Sequence, residues 1–416
     1  ARRRRAGARA HKMTAPVLYL TTSGQVGGAE RCLLSLATSL DRARFSPEVL
    51  IGSPGPLLAM FAAESIPAEV IPLPPALRRL SRSHPNPGLA SKLPPLWQAP
   101  LYLQRLARAG ARRHPALIHS NGVKMHYLSA LLQRRWGAPL LWHLHDFPAG
   151  PGKEPWSSRL LRHLSGRVAL AVANSAAVAQ AHAARYPLLA PRMRVIPNGV
   201  AIERLQAGDG IGMRARWQLP PQALVIGMVA IFAPWKGQEV FLRAARRVLE
   251  LAPATRFVLV GDDIYDTTGH GGRRQELEAL ARALGLSDAV RFPGFVGGEI
   301  ASAYAALDVM VHASTAPEPF GRTAIEAMAA GVPVIAAAAG GMLEVVEPEV
   351  SGLLTPPGDE AALAQAMLAL ATDPERRRRL AEGGRRRVRE RFSEAVVGRQ
   401  IEAAYREALE DAPCPA

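Results

Sequence analysis

The sequence predicts an α/β protein of two domains, each a parallel sheet with helices on both faces. Its 416 residues exceed one ordinary core and suit two domains of about 200 residues each. Short β-branched runs alternate with longer helical stretches, as a covered parallel sheet requires. That alternation restarts after a turn-rich segment running from Pro197-Asn198-Gly199 to Pro220-Pro221.

In the first half, strands are expected over 17–21, 48–51, 69–71, 117–119, 140–144, 168–173 and 194–196. In the second half they are expected over 224–229, 256–260, 290–292, 309–312 and 332–336, with helices over 238–251 and 275–284. Helices over 360–370, 375–391 and 394–409 follow, their charges spaced for exposed faces. The expected division is a disordered basic tail at 1–12, ahead of a start at Met13, then domains at 13–200 and 201–393 and a final helical segment at 394–416. No sequence repeat links the halves, so the architecture would be repeated and not the sequence.

Although 48% of residues are hydrophobic, no run of about 18 apolar residues lacks a charge or a breaker, so no membrane-spanning helix is expected. Arg2 to Arg5 lead into no apolar secretion signal. Cys32 and Cys414 are the two cysteines, without spacing for a disulfide scaffold or a zinc site, which points to a reducing, cytoplasmic setting and to no bound metal. The net charge of +16 is uneven: residues 1–200 carry 27 Lys/Arg against 7 Asp/Glu, and residues 201–416 carry 24 against 28. No recognised nucleic-acid module accompanies the basic half, so nucleic acid is not the expected partner. The segment 78–113 is either a solvated basic loop or a peripheral face for anionic membrane, with Trp97 and Tyr102 at headgroup depth.

Chemistry concentrates in Ala316-Pro-Glu-Pro-Phe-Gly-Arg-Thr-Ala-Ile-Glu-Ala-Met-Ala-Ala-Gly331. A loop with Glu318 feeds a helix from Arg322 that Gly331 and Pro333 stop. The amides of Phe320, Gly321 and Arg322 at the helix start would suit a phosphate. Glu318 and Glu326 either accept from sugar and ribose hydroxyls or serve as a cap and a solvated carboxylate. Gly27 and Gly28, between the first strand and a helix, permit close approach of a ligand or simply a tight turn. His143 and His145 alternate along the fifth strand and so share a face, as a ligand-facing pair, as structural histidines, or as a zinc pair with no third ligand in view. Lys236, in Pro234-Trp235-Lys236-Gly237, is placed to neutralise a diphosphate. Asp262-Asp263 reads as a loop cap in preference to a metal-bound nucleotide site.

Two glutamates with seven residues between them, within Glu-Pro-Phe-Gly and Glu-Ala-Met-Ala-Ala-Gly, resemble glycosyltransferase family 4. Further landmarks occur in the family's order: Gly27-Gly28-Ala29-Glu30, His143-Leu-His145-Asp146, Asn174-Ser175, Ile196-Pro-Asn-Gly-Val200, Val260-Gly-Asp262, Gly340-Gly341 with Glu344, and Ser351-Gly-Leu-Leu354. The resemblance implies the GT-B fold, two Rossmann-like domains facing each other across a cleft, with a C-terminal helix crossing back to the first. It implies a retaining, metal-independent transfer from a nucleoside-diphosphate sugar to a glycan or lipid-linked acceptor, with no cofactor. His145, Glu318 and Lys236 would act at the reacting centre. Gly27, Gly28, Lys236, Glu318, Phe320, Gly321, Arg322 and Glu326 would bind the donor, with Glu326 on the ribose, Glu318 on the sugar and Lys236 on the diphosphate. The family's arginine five positions before the lysine is here Ile231. Arg322 is the expected substitute, its alternative being a solvent-facing arginine. Two rival readings share the architecture: a nucleotide-sugar epimerase, and a non-catalytic sugar-nucleotide-binding or assembly protein.

Overall fold

The computed structural model describes residues 14–74, 77, 98–148, 156–263 and 272–410. Two all-parallel sheets form. The first contains β1 (Ala15–Thr21), β2 (Phe45–Ile51), β3 (Ala68–Val70), β4 (Leu117–Asn121), β5 (Leu140–Leu144), β6 (Leu170–Ala173) and β7 (Met193–Val195), in the order β3-β2-β1-β4-β5-β6-β7. The second contains β8 (Val225–Val229), β9 (Arg256–Val260), β10 (Val290–Gly294), β11 (Val309–His312), β12 (Val334–Ala337) and β13 (Gly352–Thr355), in the order β10-β9-β8-β11-β12-β13.

Every residue of β4, β5, β8 and β11 is buried; β8 accordingly reads as an apolar run without alternation, while β4 carries the buried polar residues His119, Ser120 and Asn121 toward its C-terminal end. Successive residues serve opposite faces. Leu18, Leu20 and Trp142 pack on one side of the first sheet, and Val17, Tyr19 and Leu141 on the other. In each sheet the order reverses beside the first strand, between β1 and β4 and between β8 and β11, which is where doubly wound sheets open a ligand crevice.

The helix Glu394–Glu410 lies on the first domain. Val397, Ile401 and Tyr405 join the core that holds Leu33, Phe45 and Val49, and Asp41 N–H donates to Glu402 at 2.7 Å. The two chain crossings run side by side, with Val200 N–H donating to the Phe392 carbonyl and Glu394 N–H to the Val200 carbonyl.

Three sequence expectations change. The helix expected over 375–391 is Pro374–Arg387 followed by a π-turn, Val388–Phe392, whose extra residue per turn lets both Val388 and Phe392 join the core. β13 was not foreseen. Tyr102 does not reach a membrane: it is 3% exposed, on the apolar stripe of the helix Gln98–Ala111 with Leu106 and Ala109, because the spacing that would expose it for insertion is the spacing that packs it on the core. Residues 1–12, 78–97 including Trp97, and 411–416 lie outside the described residues. No helix among the described residues is long and apolar enough to cross a membrane.

Candidate active site

From the first domain, the C-terminal ends of β4 and β5 present Asn121 and His145. The Asn121 side-chain amide donates to the Ala29 carbonyl, which leaves its Oδ1 to accept from His145 Nε2 and places the ring proton on that nitrogen. His143 and His145 share a face, with ring centroids 4.0 Å apart. Desolvation pushes the His145 pKa down to about 4, Asp146 opposing the shift and the positive Arg322 adding to it, so the ring is neutral near pH 7. Asn174 Nδ2 donates to the His145 carbonyl and holds that strand end. Gly27 N–H donates to Glu30, and a Cβ on Gly28 would meet no atom within 4 Å, so packing within the protein does not itself demand glycine there.

From the second domain, β11 delivers a loop and the helix Arg322–Ala330. Gly321 caps the helix start with φ +96°, and a Cβ there would lie 2.0 Å from the Met342 sulfur, so the helix begins at a position open only to glycine. Glu318 is anchored by backbone and side chain alike. Its carbonyl accepts from Gly341 N–H at 2.8 Å, and its Oε2 accepts from Lys236 Nζ at 2.8 Å and Ser314 Oγ at 3.1 Å, with His312 Nε2 at 3.5 Å. Burial disfavours the charged carboxylate, but His312 and Lys236 outweigh it and hold Glu318 well below the usual carboxylate range. Lys236 sits in a turn, Pro234–Lys236, that β8 delivers to the same place.

Glu326 lies on the helix and is 8% exposed. Its Oε2 accepts from Tyr304 OH at 2.9 Å and its Oε1 from Arg322 Nε at 2.7 Å. The Tyr304 phenol is kept protonated by burial and by Glu326 itself. Arg322 neither points to solvent nor stands free: its Nη1 donates across the domains to Cys32 Sγ at 2.9 Å. Phe320 packs its ring on Phe392, leaving only its backbone for a ligand. Ile231 contributes an aliphatic side chain, and its carbonyl accepts from Gln238.

The domains meet at a second clasp. Ser175 Oγ donates to the Pro319 carbonyl at 2.6 Å, and the Glu344 carboxylate accepts from Ala176 and Ala177 N–H, capping the first-domain helix Ala176–Arg185 from the other domain. The predicted site residues Glu318, Lys236, Glu326 and Arg322 therefore gather around one helix start, with His145 within electrostatic reach of Arg322. Sequence reasoning missed Asn121, His312 and Tyr304, which hold His145, Glu318 and Glu326. Asp262 pairs with Arg274, and Asp263 accepts from Gly272 N–H, as a loop cap would. Among the described residues no three His, Cys, Asp or Glu side chains cluster to hold a metal.

The family model for glycosyl transferases group 1 matches residues 212–387, and that for glycosyltransferase family 4 matches residues 26–204. The D-inositol 3-phosphate glycosyltransferase of Salinispora tropica is 30% identical over 393 residues, spanning 89% of this chain and 79% of that protein. Its namesake in Stackebrandtia nassauensis is 33% identical over 322 residues, spanning 73% and 71%. Among solved structures, HepE of Anabaena in complex with UDP-glucose aligns with a TM-score of 0.76 at 29% identity, covering 93% of this chain and 98% of that one. Sucrose-phosphate synthase of Thermosynechococcus elongatus, 24% identical, shares the fold with a TM-score of 0.72, covering 95% and 99%.

Proposed function

The chain belongs to glycosyltransferase family 4, of GT-B fold, and from that premise we propose that it moves a sugar from a UDP-sugar to an acceptor hydroxyl with retention of configuration, using neither metal nor cofactor. The observation that carries this is the convergence of two carboxylates and two cations on one helix start, opposite a neutral histidine of the other domain. The solved relative with UDP-glucose bound supports the choice of nucleotide.

Glu326 would accept from the ribose hydroxyls; with two oxygens and about four lone-pair sites, it has capacity left after Tyr304 and Arg322. Lys236 and the amides of Gly321 and Arg322 would hold the diphosphate and stabilise it as it leaves. Glu318 and the amides of Phe320 and Gly321 would hold the sugar, with Gly27 and Gly28 beneath the diphosphate. His145 would face the reacting carbon. As the bond from that carbon to the diphosphate oxygen breaks, the acceptor oxygen bonds to the same face and its proton passes to a diphosphate oxygen, so UDP leaves protonated and no enzyme base is consumed. The proposed acceptor is a hydroxyl of a glycan or lipid-linked sugar. The basic first domain suits an anionic membrane surface, which would place the enzyme at the cytoplasmic face.

The test is product analysis with UDP-glucose, lipid-linked and glycan acceptors, and inositol 3-phosphate for comparison, all in excess chelator. An α-linked product by proton NMR is expected. A β-linked product overturns retention, and activity lost to chelator but restored by manganese overturns metal independence.

A further inference from the structure

A buried polar chain runs behind the active site and ends on the returning C-terminal helix. Tyr19 OH and Tyr405 OH lie 2.7 Å apart, Tyr405 OH lies 2.7 Å from His119 Nδ1, and His119 Nε2 lies 3.2 Å from His143 Nδ1. All four side chains are at most 4% exposed. The chain ends at His143 Nε2, which has no partner among the described residues and lines a narrow pocket of about 10 Å³. Asn198 Oδ1, in the segment joining the domains, is equally unpartnered and lines the same pocket.

These contacts allow two proton orders. In one, Tyr19 donates to Tyr405, Tyr405 to His119 Nδ1, and His119 Nε2–H to His143 Nδ1, so His143 carries its proton on Nε2. In the other every donor reverses, which strands the Tyr19 hydroxyl proton without an acceptor and leaves His143 Nε2 bare. A buried donor without an acceptor is strongly penalised. The first order moves the unmatched donor to His143 Nε2, where the pocket lined by His143 and Asn198 has room for about one water to accept from it. The first order is therefore the stable one. It fills the His143 Nδ1 lone pair and fixes the plane of the ring that lies 4.0 Å from His145.

We propose that Tyr405 is a positioning residue for the transfer: through His119 it fixes the tautomer and plane of His143, the ring against which His145 is held. This rests on the placement of His145 at the reacting face. It gives the crossing helix a task in the chemistry besides covering the first domain. Tyr19, at the far end, is not needed, since Tyr405 keeps its donor when Tyr19 is replaced.

Tyr19→Phe deletes the Tyr19–Tyr405 contact alone, whereas Tyr405→Phe deletes that contact and the one to His119, so the His143 tautomer, which a purely structural loss would not move, separates the two roles. The full chain with ¹⁵N-labelled histidine reports the tautomers, and UDP release from UDP-glucose reports turnover. The expected wild-type His143 is the Nε2–H form. Tyr405→Phe should shift His143 toward the other tautomer and lower kcat about tenfold with KM within about twofold. Tyr19→Phe should change neither. His119→Gln should match Tyr405→Phe, and the double variant should lose no more than the worse single, as members of one chain do. Equal kcat losses in the two tyrosine variants, an unmoved His143 tautomer, or additive losses in the double variant would overturn the proposal. His145→Ala separates the two readings: unchanged UDP release there rejects the placement of His145, while the His143 tautomer still decides the role of Tyr405.

Discussion

Neutralising Glu326 tests the donor site most directly, because its two surroundings predict separable losses. Glu326→Gln keeps the shape but leaves one carbonyl oxygen for two donors, Tyr304 OH at 2.9 Å and Arg322 Nε at 2.7 Å. One buried donor then goes without its partner, at about 1–3 kcal/mol of stability, less than the roughly 3–5 kcal/mol for deleting one member of a buried ion pair. The ribose contacts lose their charge assistance as well, about 1.5–3 kcal/mol or roughly ten- to a hundredfold in the Kd for UDP. Calorimetric titration with UDP and with pyrophosphate separates the two effects. Pyrophosphate meets the helix start and Lys236 but has no ribose, so its affinity should be nearly unchanged. UDP binding as tight as wild type, or pyrophosphate weakened as much as UDP, would refute the ribose assignment.

His119 and His145 are pushed down from 6.5 to about 3 and about 4, and His143 well below its usual range, each chiefly by burial. The unfolded chain therefore binds more protons between pH 6.5 and that range, and stability should fall as pH drops through it, by up to about 1.4 kcal/mol per pH unit for each ring; urea unfolding of His119→Gln, which removes one ring, should show a shallower acid limb. Gly321→Ala forces a Cβ into the Met342 sulfur at φ +96°, and should lower the urea midpoint by an amount equivalent to about 1–3 kcal/mol while weakening UDP binding. With Tyr102 buried, docking to anionic vesicles would rest on charge, so sedimentation should collapse by about 0.5 M salt and be unchanged in Tyr102→Phe. Lys236→Ala and Arg322→Ala should each weaken UDP at least about tenfold, whereas Cys32→Ala should not weaken it. Equal loss in Cys32→Ala would show that Arg322 matters as a tie between domains.

The parts of the fold that were legible are those whose cause is local. Val17 to Thr21 and Val309 to His312 declare buried strands by composition alone, and Gly321, Gly331 and Pro333 bracket a helix by backbone chemistry. Gly352-Leu-Leu-Thr355 was harder, being a four-residue strand with a single β-branched residue at the sheet edge. Glu318, Glu326, Lys236 and His145 stood out because their motifs are contiguous. Their supports did not, because His312 and Tyr304 come from a neighbouring strand and helix, and Asn121 from the strand beside His145. The contact of Arg322 with Cys32 spans 290 residues of sequence, and no spacing rule reaches that far.

If a donor diphosphate binds here as proposed, the charge balance gives Ile231 its weight. Before a donor arrives, Lys236 with Glu318 and Arg322 with Glu326 form two ion pairs whose side chains are 10–19% exposed, and the four charges cancel. A diphosphate adds about two negative charges to a neutral set, and an arginine at 231 would have answered one of them. The ammonium of Lys236 has three N–H donors, and among the described residues one goes to Glu318, so it can take a phosphate oxygen without releasing that carboxylate. Arg322 has already committed Nε to Glu326 and Nη1 to Cys32, and it keeps Nη2. The thiol is the weaker of its acceptors, a neutral sulfur whose proton is retained because burial pushes its pKa up, with Arg322 only partly opposing. A phosphate oxygen would win that nitrogen easily, since charge-assisted bonds are about twice as strong as neutral ones. The guanidinium can therefore turn from Cys32 to the donor while Glu326 holds its stem, and in doing so it exchanges an interdomain contact for a ligand contact.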